Sequence, residues 1–412
     1  MDASQAAQGH DTGLGRDSKV IGLIGTAHFA SHFYQLSMPA LFPLIYRAEG
    51  ISYTELGTLW TVFFLTSGLC QTPAGFLVDR IGARPVLVSG LTLMAGAIAL
   101  FGLTYHYPVM LLLAFLAGLG NSIFHPADIS ILTGSVHERR MGRAFSIHYF
   151  GGFIGYAAAP LCMVAVGHVI GWRHTVTLAG AIGLIVALLV WINRAEMRDD
   201  RDAGRAAGRV DARLGWRHEM GVLLRAPTIF SFLFFALMAM GSVGIMTFGA
   251  STLVALLDTP ETLASSAISA NLTGAVGGIL IGGWLADRTR RHDFHTAIVV
   301  TICVALLLVI PATRPDGIFT LFPLLIAAGV FYGISCPLRD MVIRSIAPKG
   351  AAGKVFGFTY SGMDFGSAIM GVLFGILLDR KLPDVVFLCI AGFMMLSVVS
   401  ILVAKVMARR GT

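Results

Sequence analysis

The sequence predicts an all-α membrane protein with twelve transmembrane helices in two pseudo-symmetric six-helix bundles. Composition gives the first indication: 56% of the 412 residues are hydrophobic and only 13% are charged, and the mean hydropathy is +0.77. Soluble domains carry about 25% charged residues. A chain with half that density would expose apolar side chains over much of its surface in water. The composition therefore excludes a water-soluble enzyme and predicts that lipid surrounds the fold.

Twelve apolar runs are long enough to cross a bilayer, which takes about 20 residues in a helix. Charge clusters or Gly and Pro turn signals separate them. Their length excludes a transmembrane β-barrel, whose strands are about 10 residues long. The predicted spans are residues 20–45, 53–77, 86–105, 108–133, 143–166, 173–193, 228–256, 263–285, 296–312, 318–345, 354–378 and 385–406.

The distribution of Lys and Arg predicts which side of the membrane each loop faces. With the amino terminus inside, 23 of the 30 Lys and Arg residues fall in cytoplasmic segments and five in outer loops. Cytoplasmic loops collect positive residues, so both termini are predicted to be cytoplasmic. The expected organisation is a cytoplasmic tail (1–18), a bundle (19–193), a cytoplasmic linker (194–227), a second bundle (228–407) and a tail (408–412).

Several functional classes are not expected. The net charge of +7 belongs to loops rather than to a basic face on a soluble domain, so no nucleic-acid partner is predicted. The five cysteines form no CxxC pair, which argues against a disulfide framework or a zinc site. The chain has no GxxxxGK[ST] loop, nucleophile elbow or HExxH pair. We therefore expect no catalytic residues, no metal and no cofactor.

A repeated loop is the most informative motif. Gly75-Phe-Leu-Val-Asp79-Arg80-Ile-Gly82-Ala-Arg84 follows span two, and a related segment beginning at Gly283 follows span eight, 208 residues later. Two further pairs of segments, in spans four and ten and in spans five and eleven, lie 211 residues apart. Near-equal offsets predict duplicated bundles. Glycine permits close helix approach, and loop charges can exchange partners between open and closed states. The candidate gating residues are Gly75, Asp79, Arg80, Gly82, Arg84, Gly283, Asp287 and Arg288.

This G-x-x-x-D-R-x-G-x-R loop, echoed in the second half of a twelve-span chain, resembles the major facilitator superfamily. The segment Gly120–Asp128, followed by Gly151-Gly152-Phe-Ile-Gly155, is similar to the fosmidomycin-resistance branch of proton-coupled efflux proteins. The resemblance implies a monomeric secondary transporter of the bacterial inner membrane that works by alternating access. Its expected partners are a small organic substrate, protons and membrane lipid, and a proton gradient would supply the energy.

Polar residues inside the spans are the candidate binding residues. A charged side chain at a helix centre costs about 2.5–3.5 kcal/mol on insertion scales, so each needs a partner, water or a function. His28, His32 and Gln35 follow the spacing i, i+4 and i+7, which places them on one face of span one. They are predicted to line a cavity, although two satisfied histidines packed between helices would give the same pattern. The candidate substrate-binding residues are His28, His32, Gln35, His125, His148, Arg339 and Tyr360.

Four residues are candidates for proton coupling: His125, Asp128, Asp340 and Asp364. His125 and Asp128 stand at i, i+3 beside Pro126, and a permanent pair between Asp128 and Arg339 is the alternative. Asp340 could pair with Arg344 at i, i+4. Asp364 lies near the middle of span eleven with no basic neighbour in sequence; a hydrogen bond to Ser or Tyr, or a pair with a histidine, is its alternative role.

Arg339 predicts the substrate class, because a guanidinium binds carboxylate, phosphonate or phosphate groups through two hydrogen bonds. The leading functional hypothesis is proton-coupled efflux, by antiport, of a small organic compound, for which Arg339 favours an anion. A proton-coupled importer, a lipid transporter of the same fold, and a receptor that has lost turnover are the alternatives.

Overall fold

The computed structural model describes residues 3–137, 140–198, 224–315, 317–346 and 352–410. Within these ranges all regular secondary structure is helical, which confirms the predicted fold class. The α-helices are α1 Ala3–Ser37, α2 Phe42–Glu49, α3 Tyr53–Ile81, α4 Ala83–Phe101, α5 Tyr107–Asn121, α6 Phe124–Ser135, α7 Met141–Ile170, α8 Trp172–Ile192, α9 Ala226–Leu257, α10 Glu261–Arg288, α11 His292–Thr313, α12 Ile318–Ile346, α13 Ala352–Asp379 and α14 Pro383–Arg410.

The helices follow the predicted spans. Ten helical segments of the described ranges are long and apolar enough to cross a membrane. The other two predicted spans, 20–45 and 53–77, fall on α1 and α3, which are helical but interrupted by more polar residues. Helix α1 begins at Ala3 and so extends back into the segment predicted as a tail. Most of the predicted linker, residues 199–223, lies outside the described residues.

Two predicted spans are interrupted. In span one, helix α1 ends at Ser37, and the chain continues through a short 3₁₀ helix, Pro39–Leu41, into α2. Span four is broken between Asn121 and Phe124. Pro126 lies in the first turn of α6, where a missing backbone N–H breaks no helical hydrogen bond. The distortion expected at Pro126 is therefore located just before it.

The helices form two compact units. Unit 1 contains the described residues within 1–35, 66–156 and 173–211, and unit 2 those within 36–65, 157–172 and 212–412. Two segments of the predicted first bundle, 36–65 and 157–172, therefore group with the carboxyl-terminal helices. In unit 2, α9 packs on α13 and α14, and α10 packs on α12.

A carboxylate joins two helix ends in unit 2. Asp379, the last residue of α13, accepts hydrogen bonds from the backbone N–H groups of Tyr53 and Thr54 at 2.8 and 2.7 Å. These N–H groups begin α3 and have no partner within their own helix, so an acidic side chain there also opposes the positive end of the helix dipole. Gly57 and Gly371 bring the same two helices into backbone contact.

Apolar side chains also cover the outside of the helices. On α8 an exposed stripe repeats every three or four residues, which is one helical face. In water this face would be unfavourable, whereas in a bilayer it meets lipid tails. The stripe consists of Leu178, Ile182, Ile185, Leu189 and Ile192.

Adjacent glycines in α10 provide a matched test of the packing. A Cβ atom at Gly278 would overlap the carbonyl oxygen of Val330 on α12, whereas one at Gly277 meets no described atom within 4 Å. We expect Gly278→Ala to destabilise the protein by about 1–3 kcal/mol, because overpacking forces the backbones apart. Thermal unfolding of the purified protein should show a lower Tm for Gly278→Ala and no loss for Gly277→Ala. Equal Tm values for the two variants would contradict the observed packing.

Candidate functional site

Four histidines of unit 1 converge from three helices. His28 and His32 lie on α1, His125 on α6 and His148 on α7. The ring of His28 is at the centre: its centroid lies 3.7 Å from that of His148, 4.3 Å from that of His32 and 5.3 Å from that of His125. His28 and His148 are buried, whereas His125 is exposed. The structure thus brings together all four histidines that the sequence analysis selected.

Asp128 places a carboxylate against this imidazole cluster. Its side chain is fully buried, and its Oδ2 lies 3.3 Å from His28 Nδ1 and 3.8 Å from His148 Nδ1. Neither carboxylate oxygen has a hydrogen-bond partner among the described residues. Both ring nitrogens of His28, and Nδ1 of His32 and of His148, are likewise buried without one. Such groups cost about 1–3 kcal/mol each when they stay unsatisfied, so their convergence indicates a site for a ligand.

Glycines explain how the rings fit between α1 and α7. A Cβ atom at Gly152 would lie 2.8 Å from His28 Cδ2 and 2.8 Å from His32 Nδ1. A Cβ at Gly151 would lie 2.8 Å from the carbonyl oxygen of Gly25. The absence of side chains at these positions lets the two helices approach closely. The glycines of span five thus make room for the imidazole cluster.

An amide network extends from the cluster. Asn121 Oδ1 accepts hydrogen bonds from Ser31 and Gln35 at 3.0 and 3.2 Å, and Asn121 donates to Ser67 at 2.8 Å. The hydroxyl of Tyr156, whose ring lies 4.2 Å from that of His32, donates to Gln35 at 2.7 Å. Asn121 was not among the predicted site residues. The signal available in the sequence was an amide side chain within an apolar span, five residues before Pro126.

A second charged group lies in unit 2. Arg339 on α12 is buried, and its Nε lies 3.5 Å from Asp340 Oδ1. Tyr360 on α13 donates a hydrogen bond to the same carboxylate oxygen at 2.8 Å. The guanidinium packs 5.1 Å from the ring of Phe235. Its Nε and Nη1 have no hydrogen-bond acceptor within the described part of the chain, so this buried cation retains donors that an anion could use.

Asp340 and Asp364, two of the predicted coupling residues, have different surroundings. Asp340 lies beside Arg339 and Tyr360; the side chain of Arg344, its predicted partner, lies outside the described residues. Asp364 is half-buried on α13. On either side of it, Gly362 and Gly366 pack that helix against the backbone of α9.

The repeated loops show one clear backbone requirement. Gly82, which precedes α4, has φ +99° and ψ 153°, a conformation that glycine adopts far more readily than other residues. The close helix approach expected at Gly75 and Gly283 is not found, since no described atom lies within 4 Å of a Cβ placed there. Arg288 stacks over Trp284 at 4.1 Å. The side chains of Asp79 and Asp287 lie outside the described residues, so the gating role of these loops stays a prediction.

The comparisons with known proteins agree on one family. The family model described as Major Facilitator Superfamily matches residues 23–257 and 232–411. The Fosmidomycin resistance protein of Escherichia coli (strain K12) is 23% identical over 86% of this chain and 86% of its own length. The Probable sulfoacetate transporter SauU of Cupriavidus necator is 22% identical over 88% and 87%. The Probable L-galactonate transporter of Escherichia coli (strain K12) is 29% identical, but that match covers only 40% of this chain and 37% of the relative.

Structural comparison agrees at the level of the fold. A bacterial homologue of the human lysosomal transporter Spinster, crystallised in an inward-facing and occupied conformation, superposes with a TM-score of 0.73. The match covers 95% of this chain and 96% of the other, at 15% sequence identity. The similarity therefore extends over nearly the whole chain.

Gly152 gives a direct test of the imidazole cluster. We expect Gly152→Ala to push the rings of His28 and His32 away from α7, because the added methyl group would lie within 3 Å of both. Transport should fall at least tenfold, as small displacements at a binding site cost that much. Gly96→Ala is the control, since a Cβ there meets no described atom within 4 Å. Normal transport by a folded Gly152→Ala protein would show that the ring positions do not matter.

Proposed function

Because the chain belongs to the major facilitator superfamily, and is thus a multi-pass membrane protein and a secondary transporter, we propose that it moves a small organic anion coupled to protons. We place it in the bacterial inner membrane as a monomer with both termini cytoplasmic. The observation that carries the proposal is the buried guanidinium of Arg339, whose Nε and Nη1 have no hydrogen-bond acceptor among the described residues. Alternating access, as in other members of the family, would expose this group to each side in turn.

Two features support an anionic substrate. A buried cation is costly unless its hydrogen bonds are satisfied, and a carboxylate, sulfonate or phosphonate would satisfy those of Arg339 through a forked pair. The names of two relatives, the sulfoacetate and L-galactonate transporters, refer to compounds that carry such groups. Tyr360, on α13 of the same unit, would provide a further polar contact. The substrate-binding role predicted for His28, His32, Gln35, His125 and His148 stays a prediction.

Asp340 supplies a mechanism for coupling. In the absence of substrate it neutralises Arg339 at 3.5 Å. A substrate anion that binds Arg339 competes with this carboxylate, and a carboxylate that loses its cationic partner binds a proton more readily. Binding of the anion and binding of the proton would then favour each other. Asp364, a half-buried carboxylate four residues after Tyr360 on α13, is the second proposed coupling residue. The coupling role predicted for Asp128 and His125 stays a prediction.

The direction of transport has two candidates. Similarity to the Fosmidomycin resistance protein supports efflux by proton antiport, as the sequence analysis predicts. The arrangement of Arg339, Asp340 and Tyr360 favours the second candidate, import by proton symport, because positive linkage between anion and proton carries both in the same direction. The two candidates require opposite proton movements, so one experiment distinguishes them.

That experiment uses proteoliposomes with a pH-sensitive dye inside. Sulfoacetate, L-galactonate or fosmidomycin is added outside at equal pH on both sides. Symport should acidify the lumen as the anion enters, whereas antiport should make it alkaline. Protein-free liposomes give the background. If none of the anions moves protons or enters the vesicles, the proposed function is wrong.

The role of Arg339 is tested by substitution. We expect Arg339→Gln to weaken binding of the transported anion by about 10- to 100-fold, because a hydrogen bond to a charged group contributes about 1.5–3 kcal/mol. The control is Arg314→Gln, which removes an exposed arginine paired with Asp384. Titration of the anion into each purified variant measures the effect. Equal affinities for wild type and Arg339→Gln would contradict the assignment of the anion site.

A further inference from the structure

The imidazole cluster of unit 1 has the composition of a metal centre. We propose that His28, His125, His148 and Asp128 bind a divalent first-row transition-metal ion. The three histidines each offer one ring nitrogen, and these ligand atoms all lie within 4.8 Å of one another. Asp128 adds a carboxylate oxygen 3.3 Å from His28 Nδ1 and 3.8 Å from His148 Nδ1. The three ring nitrogens thus form one group, and the carboxylate lies against two of the three rings.

The spacing suits a small ion with short bonds. Metal–ligand bonds of about 2.0–2.1 Å in a tetrahedral zinc site place neighbouring ligand atoms about 3.4 Å apart. The separation between His28 Nδ1 and Asp128 Oδ2, at 3.3 Å, already has this value. The other ligand atoms need to move inward by an ångström or so. Since the ligands stand on three helices, side-chain rotation and small helix shifts can supply this movement.

The buried acceptors of this cluster favour a cation as its ligand. Two of the proposed ligand side chains, His28 and Asp128, are at most 1% exposed. Both carboxylate oxygens of Asp128, both ring nitrogens of His28 and Nδ1 of His148 are buried without a hydrogen-bond partner among the described residues. Carboxylate oxygens can only accept, and each neutral imidazole leaves one acceptor nitrogen. A metal ion would satisfy several of these acceptors at once, which a single water molecule does less well.

The ligand types select the class of ion. Imidazole nitrogen suits Zn²⁺, Co²⁺, Ni²⁺ and Cu²⁺, whereas Mg²⁺ and Ca²⁺ prefer shells of oxygen ligands. No metal was predicted from the sequence because it contains no CxxC or HExxH pair. Here only the histidine and aspartate of α6 are close in sequence, and α1 and α7 supply the other two ligands.

His125 supplies a route to the site. It is exposed, while His28 and His148 are buried behind it, so an ion can first bind His125 and then acquire the inner ligands. Once bound, the ion would link α1, α6 and α7 of unit 1. Metal binding should therefore stabilise the protein as well as occupy the site.

The test uses the full-length purified protein without an affinity tag and after treatment with a chelator. Titrated Co²⁺ should give visible absorption bands of a low-symmetry site with nitrogen and oxygen ligands, at one equivalent per chain, and Zn²⁺ should abolish these bands by displacement. Zn²⁺ should also raise the Tm. We expect His148→Gln to weaken Co²⁺ binding at least tenfold and a His28→Gln/His148→Gln double variant to abolish it.

Two controls make the result decisive. His168→Gln removes an exposed histidine from the same helix as His148 and should bind Co²⁺ like wild type. Arg339→Gln alters only the proposed anion site in unit 2 and should also bind normally, so failure of the anion assignment and failure of the metal site are distinguishable. Absence of Co²⁺ bands in the wild type would overturn the proposal. So would undiminished binding by the double variant, provided that its Tm without metal shows that it is folded.

Discussion

The contact between Asp128 and the imidazole rings of His28 and His148 is the feature on which this account depends. Lipid surrounds the helices and offers no hydrogen bonds, so each polar group within the bundle has to be satisfied by protein, by water or by a ligand. Most side chains obey this rule, as the network around Asn121 shows. The carboxylate of Asp128 and the guanidinium of Arg339 are exceptions within the described residues. A fold that retains buried charges without complete partners retains them for binding.

Glycine positions make this arrangement possible. Gly151 and Gly152 bring α7 close enough to α1 for the rings of His28 and His148 to stack. In unit 2, Gly362 and Gly366 do the same for α13 and α9, beside Asp364. Close packing of small residues thus serves the site as well as the fold, because it holds the polar side chains at fixed positions. The two units differ in chemistry: unit 1 places several imidazole rings around one carboxylate, whereas unit 2 contains a buried guanidinium.

Much of the fold could be predicted from sequence because apolar run length alone specifies a membrane helix. The helical class and ten of the spans follow from it. The polar stripe at His28 and His32 was visible as helical periodicity, and His125 and Asp128 as a pair beside a proline. The convergence of these residues with His148 could not be seen in the sequence, because no local pattern specifies which helices are neighbours. Asn121 and the role of Gly152 were missed for the same reason. At Gly75 and Gly283, motif glycines predicted close contacts, and neither makes one with a described residue.

The most direct measurement is thermal unfolding of metal-free Asp128→Asn protein beside the wild type. If the carboxylate is kept for ligand binding, removal of its charge should leave the Tm unchanged or raise it, since the buried carboxylate accepts no hydrogen bond from a described residue. A fall of several degrees would contradict the account. It would show that Asp128 holds the helices together, as a structural partner of the histidines.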